Sequence, residues 1–185
     1  MRTKLNALLL ALAIAVPTMA ATVAGVNMED HVVVNGQTLV LNGTGLRKKL
    51  FIKIYAGGLY LTAKQGNAAS VMAADASRRQ VMHFLYSVSK DQMCDAWKEG
   101  LEDNTKNPSG EVKAGFNTLC SWMEPIPKTH RLVLTYVPGT GTTVEINGKM
   151  KGTLPGKATA DAILATWIGP KPGPGEDFKN AVLGK

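Results

Sequence analysis

Cysteine and histidine are scarce in this sequence of 185 residues, which contains two cysteines and three histidines. The histidines stand far apart, at His31, His83 and His130, and none belongs to a pair with the spacing of metal ligands. Nothing in the sequence therefore supports a zinc or iron site. The Gly-x-Ser-x-Gly motif of serine hydrolases and a phosphate-binding loop are missing too. We accordingly expect neither a metal nor a cofactor.

Long apolar runs are also rare, and the one near the N-terminus is too short to span a bilayer. Met1–Ala20 has two early basic residues, an apolar run from Ala7 to Val16 and small residues at its end, which is typical of a secretory signal peptide. We predict cleavage after Ala20 and a periplasmic or secreted protein, with 21–185 as a single domain. A retained N-terminal anchor is the alternative. No later stretch approaches the ~18 apolar residues of a membrane helix.

Acidic residues are outnumbered by basic ones, 14 against 21, which gives a net charge of +7 at pH 7. Two of the basic residues lie in the predicted signal peptide, so cleavage would leave a net charge of +5. This excess is scattered, without a basic helix or arginines interleaved with aromatic residues, and we expect no nucleic-acid partner. It suits an anionic ligand or a phospholipid surface, although such an excess is also ordinary for a soluble protein.

Turn and capping signals divide the rest of the chain into strands that come in hairpins and helices that come in blocks. Asn35-Gly36 suits a type I′ turn, and Ser89 with Gln92 forms a capping box at the start of a helix. We predict strands at 32–34, 38–41, 50–62, 79–88, 129–137, 143–146 and 149–154, and helices at 67–75, from Ser89, from Ser109, at 158–168 and around Phe178. This arrangement favours an α+β domain in which helices pack on one face of an antiparallel sheet.

One stretch, from Leu41 to Leu61, carries the residues of greatest interest. Gly43 and Gly45 predict a tight turn just before Arg47, and a largely buried strand follows. A guanidinium beside apolar walls usually has an anionic or carbonyl partner, which makes Arg47 a candidate ligand-binding residue. The alternative is a surface arginine in the basic trio that it forms with the next two lysines.

The same stretch resembles the signature of the chalcone isomerase-like superfamily. The matching residues are Gly43-x-Gly45-x-Arg47 and then Lys53-x-Tyr55-Ala56-x-x-Leu59-Tyr60-Leu61. That superfamily includes flavonoid-making isomerases, fatty-acid-binding proteins and secreted bacterial homologues, and the resemblance implies an open-faced β-sandwich. It also implies that Arg47 holds the oxygen atoms of a ligand and that Tyr55 lines the same pocket. True isomerases have threonine at the position of Tyr55, so the tyrosine resembles the fatty-acid binders.

The resemblance implies three further ligand-binding positions. In the isomerases a tyrosine and an asparagine seven residues later reach the ligand from one helix, and Trp97 and Asn104 have this spacing. Indole has an N–H donor but no hydroxyl, so Trp97 cannot replace a phenol that orders a catalytic water. Thr166 corresponds to the family's threonine near a C-terminal helix, and a helix threonine bonded to its own backbone is the alternative.

The two cysteines form a possible disulfide. Cys94 and Cys120 each lie thirteen residues from Asn107, in the predicted turn of a helical hairpin, so an antiparallel pair of helices would bring them to similar heights. An exported protein meets oxidising conditions in which such a pair can close. Two buried free thiols are the alternative.

Three functions remain open at this point. The first is a secreted protein that binds a fatty acid or a similar small amphipathic anion in a cleft between sheet and helices. The second is a chalcone isomerase-type enzyme in which Arg47 stabilises an oxyanion, although Tyr55 and Trp97 argue against a true isomerase. The third is a structural or assembly protein of the cell envelope.

Overall fold

The computed structural model describes residues 21–185, so the predicted signal peptide at Met1–Ala20 lies outside the described residues. Seven strands form one antiparallel sheet whose spatial order follows the chain, and two short strands form a separate ribbon. The ribbon consists of β1 (Ala21–Val23) and β2 (Val26–Met28), and the sheet of β3 (His31–Val34), β4 (Gln37–Lys49), β5 (Ile52–Leu61), β6 (Arg78–Phe84), β7 (Arg131–Val137), β8 (Gly141–Ile146) and β9 (Lys149–Leu154).

Five helices complete the domain and cover one face of the curled sheet, which confirms the predicted α+β class. They are α1 (Ala68–Ala73), α2 (Lys90–Asn104), α3 (Gly110–Trp122), α4 (Lys157–Ile168) and α5 (Glu176–Val182). Within residues 21–185 no helix is long and apolar enough to cross a membrane. The same part of the chain holds no group of three or more acidic, cysteine or histidine side chains that could bind a metal ion.

The sheet buries apolar side chains on both faces. Along β5, Tyr55, Leu59 and Leu61 point into the main core beneath the helices, whereas Ala56 and Tyr60 point into a second core on the opposite face. The β1–β2 ribbon contributes to this second core. Because successive side chains of a strand alternate between faces, a strand buried on both sides has a nearly continuous apolar sequence.

The structure contradicts the predicted turn at Gly43 and Gly45. Both glycines lie inside β4, and the chain turns later, at Leu50, whose φ is 54°. A Cβ on Gly43 would lie 2.1 Å from the backbone oxygen of Ala181, and one on Gly45 would lie 2.7 Å from the ring of Phe178. These glycines are therefore needed because α5 packs directly on the strand, and not because the chain bends there.

The helical hairpin of α2 and α3 follows its predicted signals. Ser89 and Gln92 form the capping box of α2, and Ser109 caps α3. The hairpin brings the two cysteines together as expected, but both thiols are free. The Cys94 thiol donates a hydrogen bond to the backbone oxygen of Cys120 at 3.4 Å, so the structure has the arrangement of the free-thiol alternative.

Candidate functional site

A cavity of about 580 Å³ lies between the sheet and the helices. Its wall is formed by the end of β4, β5, β6, α2, α4, the loop at 169–175 that connects α4 to α5, and the first residue of α5. Inside, the side chains are mainly apolar or aromatic: Ile54, Tyr55, Met82, Phe84, Val88, Met93, Trp97 and Trp167. Cavities of this size and composition accommodate small molecules.

Aromatic rings pack around Tyr55 at the sheet side of the cavity. The Tyr55 ring stacks on Trp167 with centroids 6.2 Å apart and meets Phe84 at 5.6 Å. Phe178 of α5 packs edge-on against Tyr55 at 5.8 Å and against Trp167 at 4.9 Å. Offset and edge-to-face contacts of this kind hold the rings in fixed positions, so this wall of the cavity is rigid.

Arg47 and Tyr55 both line the cavity. They are direct cross-strand partners of β4 and β5, and opposite residues of an antiparallel pair point to the same face. The pairing across the hairpin of β4 and β5 thus brings the two residues to one face. Arg47 Nη1 donates to the backbone oxygen of Gly173 in the 169–175 loop. This hydrogen bond uses one of the five N–H donors of the guanidinium, so the other donors can still contact a ligand.

Burial raises the pKa of the Tyr55 phenol well above its usual value, because the phenolate would lose its hydration. The charge of Arg47 and the nearby indole of Trp167 oppose this shift without cancelling it. Tyr55 is therefore a neutral hydroxyl at any physiological pH. It can donate a hydrogen bond, but it cannot serve as a base.

Trp97 carries a polar atom that lacks a partner. The side chain is 4% exposed and lines the cavity, and its indole nitrogen has no hydrogen-bond acceptor among the described residues. A buried donor left unpaired costs about 1–3 kcal/mol. An acceptor atom of a ligand in the cavity could relieve this cost.

The other two predicted positions serve the protein's own structure. The Asn104 amide does not line the cavity, because it donates to the backbone oxygens of Gly100 and Lys171 and accepts from the Lys171 backbone N–H. It therefore fixes the 169–175 loop rather than facing a ligand. Thr166 lies in the cavity wall, but its hydroxyl donates to the Ile163 backbone oxygen 2.8 Å away, which is the alternative stated for it.

Charged side chains of both signs surround the rim. The cations are Arg47, Lys49 and Lys171, and the anions are Asp95, Glu99, Asp103 and Glu176. Lys171 pairs with Asp103 at 3.0 Å. The rim as a whole therefore does not produce a positive electrostatic potential. For this reason selectivity for an anion depends on contacts with individual side chains.

Two parts of the cavity wall were not recognised from the sequence. Trp167 lies on α4, where nine of the twelve residues are buried, so the helix has no polar face from which its orientation could be predicted. The proline- and glycine-rich segment 169–175 lies against Arg47, and this position depends on a contact between distant parts of the chain that local sequence does not reveal.

A family model described as chalcone isomerase-like matches residues 20–184. Among solved structures, a fatty-acid binding protein from Arabidopsis thaliana matches with a TM-score of 0.67 and 18% sequence identity, over 86% of this chain and 93% of that chain. At this level of identity the likeness concerns the fold alone. No curated protein matches the sequence at a significant level.

Proposed function

The chain belongs to the chalcone isomerase-like family, and from that premise we propose that it binds a fatty acid or a similar small amphipathic anion in the cavity. The family is the one that the Arg47 segment indicates. The unpaired indole N–H of Trp97 is the observation that carries the proposal, because it is a buried donor in the cavity wall with no acceptor among the described residues.

The cavity suits an amphipathic ligand because its lining contains both apolar side chains and polar hydrogen-bond donors. Met82, Phe84, Val88 and Met93 present apolar surface that would contact an acyl chain. Arg47, Tyr55 and Trp97 supply N–H and O–H donors that would contact a carboxylate. Apolar walls give most of the affinity for such ligands, and a few polar groups set their orientation.

Titration calorimetry with decanoate compares the wild-type protein with Arg47→Ala. We expect the variant to bind more weakly by about 1.5–3 kcal/mol, the usual contribution of a hydrogen bond to a charged group. Lys48→Ala is the matched control, because Lys48 is the neighbouring cation, is exposed and does not line the cavity. Native mass spectrometry of the purified protein would also reveal a fatty acid that remains bound. Equal affinities of the Arg47 variant and the wild type would exclude a role for the arginine.

The proposal includes export with cleavage after Ala20, which rests on the composition of residues 1–20. N-terminal sequencing of the protein from a periplasmic fraction tests it. A first residue of Ala21 supports export, and a protein that retains Met1 contradicts it.

A further inference from the structure

The turn that joins β4 to β5 presents two large apolar side chains to solvent. Leu50 is 87% exposed and Phe51 is 88% exposed, which makes them the most exposed large apolar residues of the described chain. They occupy the tip of the hairpin, beyond the last paired residues, Lys49 and Ile52. In the free protein, water surrounds these apolar side chains, which is unfavourable in free energy. Contact with another apolar phase would remove this unfavourable term.

Positive charge surrounds these two residues. Lys48, Lys49 and Lys53 flank the tip, and none of the three forms an ion pair within the described part of the chain. The sequence contains no acidic residue between Asp30 and Asp75, so the hairpin carries no negative charge of its own. This is a local concentration of cations, unlike the mixed rim of the cavity.

An exposed tyrosine lies beside the same hairpin. Tyr86 is 50% exposed, and its backbone N–H donates to the backbone oxygen of Ile54 at 3.2 Å, near the base of the turn. Tyrosine is a residue that favours the boundary between lipid and water, because its ring is apolar and its hydroxyl is polar.

We propose that the tip of this hairpin, residues 48–53 together with Tyr86, docks onto an anionic phospholipid bilayer. Leu50 and Phe51 enter the region between headgroups and acyl chains, and the three lysines contact lipid phosphates. Apolar insertion combined with several lysines is the arrangement that binds peripheral proteins to anionic membranes. The charge of the hairpin matches this surface, and its three exposed apolar residues, Leu50, Phe51 and the less exposed Ile52, are too few to form a stable protein interface.

Docking would bring the cavity to the membrane. Lys49 and Ile54 belong both to the hairpin region and to the cavity wall, and Arg47, two residues before Lys49, also lines the cavity. An acyl chain leaving the bilayer would thus reach the cavity without crossing bulk water. The inference goes beyond ligand binding and does not depend on it, because docking concerns an outer surface that exists whether or not the cavity is occupied.

The test is a local measurement, hydrogen exchange of individual peptides, made on the full chain. Hydrogen exchange followed by mass spectrometry compares the protein alone with the protein on vesicles of phosphatidylcholine mixed with phosphatidylglycerol. We expect slower exchange in peptides that cover 46–54 and 85–87, and no slowing with vesicles of phosphatidylcholine alone. Unchanged exchange in these peptides on the anionic vesicles would overturn the proposal, even if the chain co-sediments through residues 1–20.

Two variants separate the apolar and the electrostatic contributions. Leu50→Asn with Phe51→Ser removes the apolar tip, and asparagine tolerates the positive φ at this position. Lys48→Glu with Lys53→Glu reverses two charges and should weaken partitioning by roughly tenfold or more. The controls are Val33→Ser, another exposed apolar residue, and Lys106→Glu with Lys113→Glu.

We expect both hairpin variants to lose protection of the 46–54 peptide, and both controls to retain it. Equal protection in all four variants would overturn the docking surface. Light scattering in the absence of lipid tests the alternative that the apolar tip binds a second copy of the chain. A dimer that the Leu50 and Phe51 substitutions abolish would assign the hairpin to self-association instead.

Discussion

Trp97 stands where the resemblance places a tyrosine of the isomerases, and its indole has an N–H donor in place of a hydroxyl. Its indole nitrogen has no acceptor among residues 21–185, although the ring itself is well packed. An unpaired buried donor costs about 1–3 kcal/mol, which is a sizeable part of the net stability of about 5–15 kcal/mol of a typical domain. The consequence is a site with a hydrogen bond available to a ligand.

We predict that Trp97→Phe weakens decanoate binding by about 1.5–3 kcal/mol, because the ring is retained and only the N–H is lost. The unfolding free energy should change by less than about 1 kcal/mol, since relief of the unpaired donor offsets the smaller apolar surface. Calorimetry and urea titration measure the two quantities. Trp122→Phe is the control, because Trp122 packs on Gly152 away from the cavity, and its affinity should equal that of the wild type.

A second prediction at this scale concerns Cys120. Burial raises the pKa of its thiol to about 12, and hydrogen bonding and charge repulsion with Cys94 add to the shift. The thiolate is the reactive form, so alkylation by iodoacetamide at pH 8 should be at least about a hundredfold slower in the native protein than in denaturant. The rate should rise with pH up to the pKa.

Cys94→Ser is the matched variant, because it removes the neighbouring sulfur and should speed the reaction of Cys120. Fast alkylation of the native wild-type protein would contradict the prediction. Failure of both cysteines to react even in denaturant would mean that a disulfide has formed on export, the pairing that the sequence suggested.

At the scale of secondary structure, the elements that could be predicted are those whose signals are complete within a few residues. Asn35 and Gly36 both have positive φ, as a type I′ turn requires, and Ser89 with Gln92 forms a reciprocal cap. The turn predicted at Gly43 and Gly45 is wrong because these glycines make room for α5, more than a hundred residues later in the chain. Local sequence cannot distinguish a glycine that permits a turn from one that admits a distant helix.

The packing of α5 gives a prediction for β5. A Cβ on Gly57 would lie 2.5 Å from Cζ of Phe178, a ring that is 1% exposed and fixed between Tyr55 and Trp167. Gly57→Ala should therefore lower the unfolding free energy by about 1–3 kcal/mol, the usual cost of overpacking. Urea denaturation provides the measurement.

Gly110→Ala is the control, because Gly110 opens α3 with no atom within 4 Å of the added methyl group. Its stability should be unchanged or slightly higher. Combining Gly57→Ala with Phe178→Leu should cost less than the sum of the two single changes. Additive losses would show that the contact with Phe178 is not the cause.

For the whole molecule, the layout of sheet and helices could be predicted from hairpins, caps and a family signature, whereas the cavity could be predicted only in part. Arg47 and Tyr55 were placed in its wall by the resemblance, and both line it. The role of Asn104 in holding the Lys171 backbone could not be predicted, because the loop it contacts lies 67 residues away. Ligand contacts and loop contacts use the same amide chemistry, and only the fold distinguishes them.

We predict that the protein does not cyclise chalcone at a useful rate. Trp97 has no hydroxyl to replace the phenol that orders a catalytic water in the isomerases, and Tyr55 stands where the resemblance places their threonine, which changes the shape of the pocket. Loss of chalcone absorbance with and without protein measures the rate. Clearance well above the spontaneous reaction, abolished by Arg47→Ala, would contradict this prediction and favour the isomerase.

The packing of α5 on β4 also determines when the cavity can exist during synthesis. Asn42 in β4 donates to the backbone oxygen of Val182 at 2.8 Å, a contact between residues 140 positions apart. A ribosome completes β4 and β5 long before it reaches Phe178, so the nascent sheet exposes Gly45 and Gly57 until the last helix arrives. Contacts of such high sequence separation form slowly. A chain released without its final ten residues would lack Phe178, which packs edge-on against both Tyr55 and Trp167, so premature termination would leave this side of the cavity without its support.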